Sequence, residues 1–185
     1  MPAFPREELE EMVERWLRAN KDAEAAGDWT AMSLLFAEDA TYGWNYGPEN
    51  EFMAVGRDEI REVALGLEMG GLDGWDYPYQ EILIDERKGQ VVGFWKQIAR
   101  ATRADGTHYE VAGIGGSWFG YAGDFQWRFQ RDWFDYGNAA ACFIEMMGDG
   151  TLSDGMTARM HRSLGGGLPG HYDIGQAPAP IWPPR

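Results

Sequence analysis

One carboxylate in this chain stands in surroundings that would change its chemistry. Asp132 lies in the run Trp127-Arg128-Phe129-Gln130-Arg131-Asp132-Trp133-Phe134, where aromatic neighbours deny it water. Poor solvation penalises the charged form, so its pKa is expected to rise towards the range of a useful general base. The competing reading is structural: an ion pair with Arg131, Arg128 or another base that pins the strand. Adjacent strand residues point to opposite faces, so Arg131 would have to curl round to make that pair. His108 and Glu110 share a strand face at a spacing suited to acid–base work, but His108 directly follows a turn, where exposure is the default. His161 and His171 fall in a Gly/Pro-rich tail and are expected at the surface. Three histidines so scattered, with no local Cys or carboxylate cluster, make no recognisable metal site. Gly113-Ile114-Gly115-Gly116 lies within a strand pattern and precedes no helix, so it is no phosphate loop. Asp39 and Asp58 are best explained as turn and cap residues. No metal and no cofactor are expected.

The elements that must position Asp132 are readable from periodicity. Leu9, Met12, Val13, Trp16, Leu17 and Ala23 recur at three- and four-residue spacing, predicting an amphipathic helix opened by Pro5 and ended by Gly27. Asp28 can cap a short helix carrying Trp29, Met32, Leu35 and Phe36. Residues 40–46 read as a strand with Tyr42, Trp44 and Tyr46 on one face. A third helix is predicted over 59–69, capped by Asp58 and stopped by Gly70-Gly71. From Pro78 onward strands at 81–86, 91–104, 108–121 and 125–136 alternate with short turns, which makes them antiparallel hairpins. The two middle strands are long enough to demand bending, and Gly113, Gly115 and Gly116 are natural sites for it. Asn138 can cap a last short helix ending at Met147. Residues 148–185 are rich in Gly and Pro: either a disordered appendage or an arm that packs Ile181 and Trp182 on its own domain or on a partner subunit.

Composition narrows the class. With 185 residues the chain suits one well-cored domain. Sixteen basic against thirty acidic residues give a net charge of −14, which repels phosphate backbones and anionic lipid headgroups. Neither nucleic acid nor membrane is therefore an expected partner. The single cysteine, Cys142, excludes an intramolecular disulfide and reads as a small buried thiol. No signal-peptide pattern and no apolar run of membrane-spanning length are visible, so a cytoplasmic location is expected. Aromatics, at 14%, exceed what a core of this size usually needs. They line either an apolar cavity for a small hydrophobic molecule or the contact of a homodimer, and both can hold at once.

Three patterns occur in order: Phe-Ala-Glu-Asp-Ala-Thr-Tyr at 36–42, Gly-Arg-Asp-Glu-Ile at 56–60, and Arg-Asp-Trp-Phe-Asp at 131–135. With helix, short helix, strand, helix and strand meander around them, they resemble the nuclear-transport-factor-2-like superfamily, also called SnoaL-like. The resemblance runs from Leu9 to Met147. It implies an α+β fold, a cone-shaped curved antiparallel sheet packed on N-terminal helices around an apolar pocket (a cystatin-like roll). It also implies a domain at 1–147 and a C-terminal extension at 148–185. The last pattern is similar to a segment of limonene epoxide hydrolases, in which the matching aspartate acts on water. Tyr42 matches a tyrosine that helps hold that water, though the asparagine two positions on is replaced by Trp44. Those enzymes' arginine and second aspartate fall near Lys96 and Ile98. Lys96 can supply positive charge, but Ile98 cannot donate a proton, which argues against epoxide hydrolysis by that mechanism.

The resulting expectation is a cofactor-free enzyme (isomerase, dehydratase or hydrolase) acting on a small hydrophobic molecule. Asp132 is the expected general base, Tyr42 and Lys96 its partners, and Trp44, Tyr46, Trp95, Trp118 and Phe134 line the substrate. The alternatives are a ligand-binding protein without chemistry and a dimeric assembly module of the same fold.

Overall fold

The computed structural model describes residues 4–183; residues 1–3 and the last two, among them the tail's final proline, lie outside the described residues. Helix α1 spans Arg6–Ala26, with Glu7 and Glu8 in its first turn where they complement the helix dipole. Its buried stripe is Leu9, Met12, Trp16, Asn20 and Ala23. Gly27 closes it in the left-handed conformation (φ 68°), donating its N–H to the Ala23 carbonyl. A 3₁₀ turn, Thr30–Leu35, leads into β1, Phe36–Tyr46. A hairpin returns as β2, Asn50–Val55, a strand the sequence pattern did not reveal.

The next helix, α2, starts at Arg57–Glu59 and widens into π-helical turns over Ile60–Glu68. Asp58 sits in its first turn without capping it; Glu59 instead accepts from the Val55 N–H at 2.6 Å. The meander follows as β3 (Trp75–Asp76), β4 (Tyr79–Asp85), β5 (Gln90–Trp95), β6 (Ile98–Thr102), β7 (His108–Glu110), β8 (Gly115–Gly123) and β9 (Gln126–Trp133). Each strand expected to be long is broken in two, at Lys96-Gln97 and over 111–114. The breaks let β3, β6 and β7 form a small sheet of their own beside the main one.

The main sheet runs β10-β2-β1-β9-β8-β5-β4, and its neighbours are antiparallel with one exception. Strands β1 and β9 pair in parallel, because β9 reaches β1 only after the whole meander has intervened. Helix α3, Tyr136–Gly148, is capped by Asp135, whose carboxylate accepts from the Asn138 N–H at 2.8 Å. The cap is thus Asp135 and not Asn138. Helix α4, Asp154–Gly165, is capped by Ser153, and β10, His171–Asp173, adds to the free edge of β2. The core under the sheet joins Leu9, Met12 and Trp16 of α1 to Phe36, Phe119 and Trp127.

The last residues lie along the outer face of the sheet. Arg131, only 5% exposed, projects outward and donates to the carbonyls of Ile181 (2.8 Å), Pro180 (3.1 Å) and Thr41 (3.1 Å). Burial pulls its guanidinium down to about 10, still protonated near neutrality. Replacing it with leucine should remove those donors, lower stability by about 1–3 kcal/mol and open the chain near Pro180 to protease. Limited proteolysis against a thermal melt checks both effects.

Candidate functional site

The inner face of the sheet is built from alternating residues of β1, β9, β8 and β5. In β9, Gln130 and Asp132 point inward while Phe129, Arg131 and Trp133 point outward. The register sets Asp132 beside Trp44 of β1 and Ser117 of β8, and Ser117 beside Gly93 of β5. Glycine at Gly93 and Gly115 lets the rings of Tyr79 and Trp95 lie flat on the sheet, since a Cβ at either position would run into them. These flat rings leave space above the sheet. A Gly115→Ala substitution should displace Trp95 and cost about 1–3 kcal/mol, read as a lowered unfolding midpoint with altered indole fluorescence.

That space is a cavity of about 130 Å³. Its walls come from α1 (Trp16, Asn20), α2 (Leu65, Glu68), α3 (Ala139, Phe143), α4 (Arg159) and the sheet (Tyr42, Trp44, Trp95, Ser117, Gln130, Asp132). Trp29, Met32, Tyr77, Tyr79, Gln97 and Phe134 complete much of the remainder. Its volume is comparable with the ~150 Å³ engineered apolar cavity that admits benzene. A single small ring fits without movement of the walls.

Asp132 keeps part of its surface, and that surface belongs to the cavity. Its Oδ2 accepts from the Tyr42 hydroxyl at 2.6 Å and its Oδ1 from the Gln130 amide at 2.8 Å. Ser117, which itself receives the Trp95 indole N–H at 2.9 Å, adds a further hydrogen bond to the carboxylate. Burial raises the pKa of Asp132, and the hydrogen bonds from Ser117, Tyr42 and Gln130 and the more distant Arg131 charge oppose that rise without cancelling it. Arg131 makes no ion pair with it, because its donors are spent on carbonyls and the Thr41 hydroxyl across the sheet. The Tyr42 hydroxyl is driven well above its ordinary pKa, first by burial and then by Asp132, and so stays a proton donor.

A second carboxylate shares the cavity. Glu68 is 4% exposed, receives His171 Nε2 at 2.9 Å on one oxygen and faces Arg159 at 3.5 Å on the other. Both partners come from the C-terminal extension, through β10 and α4.

Of the residues expected from sequence, Asp132, Tyr42, Trp44, Trp95 and Phe134 line the cavity together. Lys96 does not. It is half-exposed and paired with Glu110 at 2.9 Å, outside the lining, because it falls at the β5–β6 break. Trp118 alternates with inward Ser117 and therefore lies on the outer face, against Phe129 and Trp182. Tyr46 contacts Tyr136 and His171 beyond the cavity wall. His108 is exposed, with Nδ1 bonded to the Ala99 carbonyl at 2.8 Å. Gln130 was missed although period two puts it on the Asp132 face, and Glu68 although it sits four residues beyond buried Ala64. Ser117 needed the strand register. Among the described residues, no cluster of three or more His, Cys, Asp or Glu is placed to hold a metal, and no helix is long and apolar enough to cross a membrane.

No protein-family model and no curated protein matches the sequence. Solved structures do. A protein described as a SnoaL-like polyketide cyclase from Jannaschia sp. CCS1 superposes with a TM-score of 0.53 at 12% identity, covering 73% of this chain and 90% of that one. A nuclear-transport-factor-2-like protein from Anabaena variabilis gives 0.54 at 17%, covering 73% and 95%. Another, from Burkholderia pseudomallei, gives 0.53 at 13%, covering 73% and 96%.

Proposed function

The chain has the nuclear-transport-factor-2-like, SnoaL-like fold, and from that premise we propose a cofactor-free enzyme that moves a proton on a small, mainly apolar molecule, with Asp132 as general base. Isomerisation, dehydration and water addition all suit one poised carboxylate in a mainly apolar cavity. The observation that carries this reading is the carboxylate itself: cavity-facing, raised in pKa by burial, and in no ion pair with Arg131. Tyr42 and Gln130 aim it and leave the proton-accepting role to it. The test is deuterium incorporation or product formation when the protein is held in D₂O with a panel of small cyclic ketones, enones and epoxides. Activity that survives Asp132→Asn would end the proposal.

A second reading has its own support. Hydrogen bonds from Tyr42, Gln130 and Ser117 hold Asp132 firmly, as a binding protein that only needs a rigid polar anchor would hold it. Saturable uptake of a small ring with no product after long incubation is the outcome that favours it.

A further inference from the structure

Most polar side chains on the cavity wall are already engaged. Tyr42 and Gln130 donate to Asp132, Trp95 to Ser117, Trp16 to Tyr79, and Asn20 to Glu24. Glu68 holds His171 and Arg159. Trp29 Nε1 and Gln130 Oε1 are fully buried without a partner, and two further groups concern the cavity itself. The Tyr77 hydroxyl and the Gln97 side-chain amide have no hydrogen-bond partner among the described residues, although both residues line the cavity and Gln97 is only 8% exposed. Unlike Trp29 Nε1 and Gln130 Oε1, their polar atoms keep some accessible surface, and a ligand that displaces water from them must supply hydrogen bonds in its place.

The two are also neighbours. Strands β3 and β6 pair Trp75 with Ala99 and Asp76 with Ile98. The same register continues, since the Lys96 N–H reaches the Pro78 carbonyl at 3.2 Å. Tyr77 and Gln97 therefore stand opposite each other, at the separation of roughly 5 Å that cross-strand partners keep. Tyr77 is fixed by edge-to-face contacts with Trp29 and Trp95 and by its backbone N–H on Glu24. Burial pushes its phenol upward, with Arg159 opposing and Asp132 adding to that rise, so it remains a neutral donor.

We infer that Tyr77 and Gln97 form a donor pair for one oxygen of the ligand, and that the ligand is a small uncharged carbonyl compound. The inference deepens the proposed function by naming a ligand class, and it rests on that cavity being the binding site. Charge decides between a ketone and an acid. The lining carries Asp132 and Glu68 against Arg159, so a carboxylate would enter a wall already in negative excess. A hydrocarbon would leave both donors unpaired.

The probes are cyclohexanone labelled with ¹³C at the carbonyl, methylcyclohexane and cyclohexanecarboxylate, with binding read by calorimetry or indole fluorescence. Tyr77→Phe and Gln97→Leu should each weaken cyclohexanone about tenfold and leave methylcyclohexane unchanged or tighter. The bound carbonyl ¹³C resonance should lie downfield of its position in hexane and move back in the double variant. Equal loss for ketone and hydrocarbon, an unmoved resonance, tighter binding of the carboxylate, or no uptake of cyclohexanone by the wild type each overturns the inference. Asp132→Asn separates it from the base proposal: ketone binding should persist in that variant whether or not Asp132 turns anything over.

Discussion

Asp132→Asn should abolish turnover while leaving the protein at least as stable as the wild type near neutral pH. The two side chains are isosteric, and the site can absorb the change. A flipped Gln130 amide can accept from the new Asn N–H₂ while Tyr42 still donates to the Asn oxygen, and the position that Oε1 holds without a partner passes to the Gln130 N–H₂, a cost set against removal of the buried charge. What disappears is the charge, and with it a proton acceptor worth about 10²–10⁴-fold in rate. The pH dependence follows from the raised pKa. Between the ordinary value of 3.8 and the elevated one, the native protein holds a proton that the unfolded chain has released. The corresponding stability is complete below 3.8 and declines as pH rises through the folded-state pKa. Activity runs the opposite way, rising with pH through the same elevated value as the base ionises. Melts and rates measured across pH should therefore cross in the wild type, and the Asn variant should lack that decline in stability. A pH-independent rate would remove Asp132 from the chemistry.

Glu68→Leu should be the most destabilising single change at the cavity. The carboxylate is the tie between α2 and the C-terminal extension, holding His171 of β10 and Arg159 of α4. Leucine fills the volume but removes the acceptor that the Arg159 guanidinium and the His171 imidazole share, at a cost of about 2–4 kcal/mol. That corresponds to a melting temperature lower by roughly 5–15 °C. Glu68→Gln keeps an acceptor and should lose much less. Hydrogen exchange tells the mechanism apart from general loosening: amides of β10 should lose protection first, while those of β8 and β9 keep theirs. Uniform loss across the sheet would mean that Glu68 does not tie the extension.

The parts of the fold that sequence exposes are those whose burial is one-sided. Helix α1 shows its stripe because only one face meets the core, and Tyr42 and Trp44 alternate with outward residues for the same reason. Strand β2 hid because Phe52, Met53 and Ala54 are all fully buried. The extension covers the face that alternation would have left polar, so period two vanishes. The break at Lys96-Gln97 hid as well, since the chain turns there without glycine or proline, whereas the one over 111–114 holds Gly113, where bending was expected. At the site, Asp132 was legible from its aromatic company, yet Phe129 and Trp133 are on the opposite face and most of the aromatic wall comes from residues distant in sequence, such as Trp16, Tyr42, Trp44, Tyr77 and Trp95. Lys96 failed because a count along a strand assumes an unbroken strand. Ser117, Tyr77 and Gln97 depend on register between distant segments, and Arg159 on where a Gly-rich tail returns; periodicity carries neither kind of information.

The parallel contact between β1 and β9 has a consequence for biosynthesis. Tyr42 and Asp132, bonded at 2.6 Å, are 90 positions apart in the chain. A nascent polypeptide presents the first hairpin early and must then wait for the meander, with one edge of β1 unpaired and sticky until its final neighbour emerges. Ribosome-stalled chains ending before residue 126 should accordingly recruit holding chaperones, and those that extend past β10 should shed them.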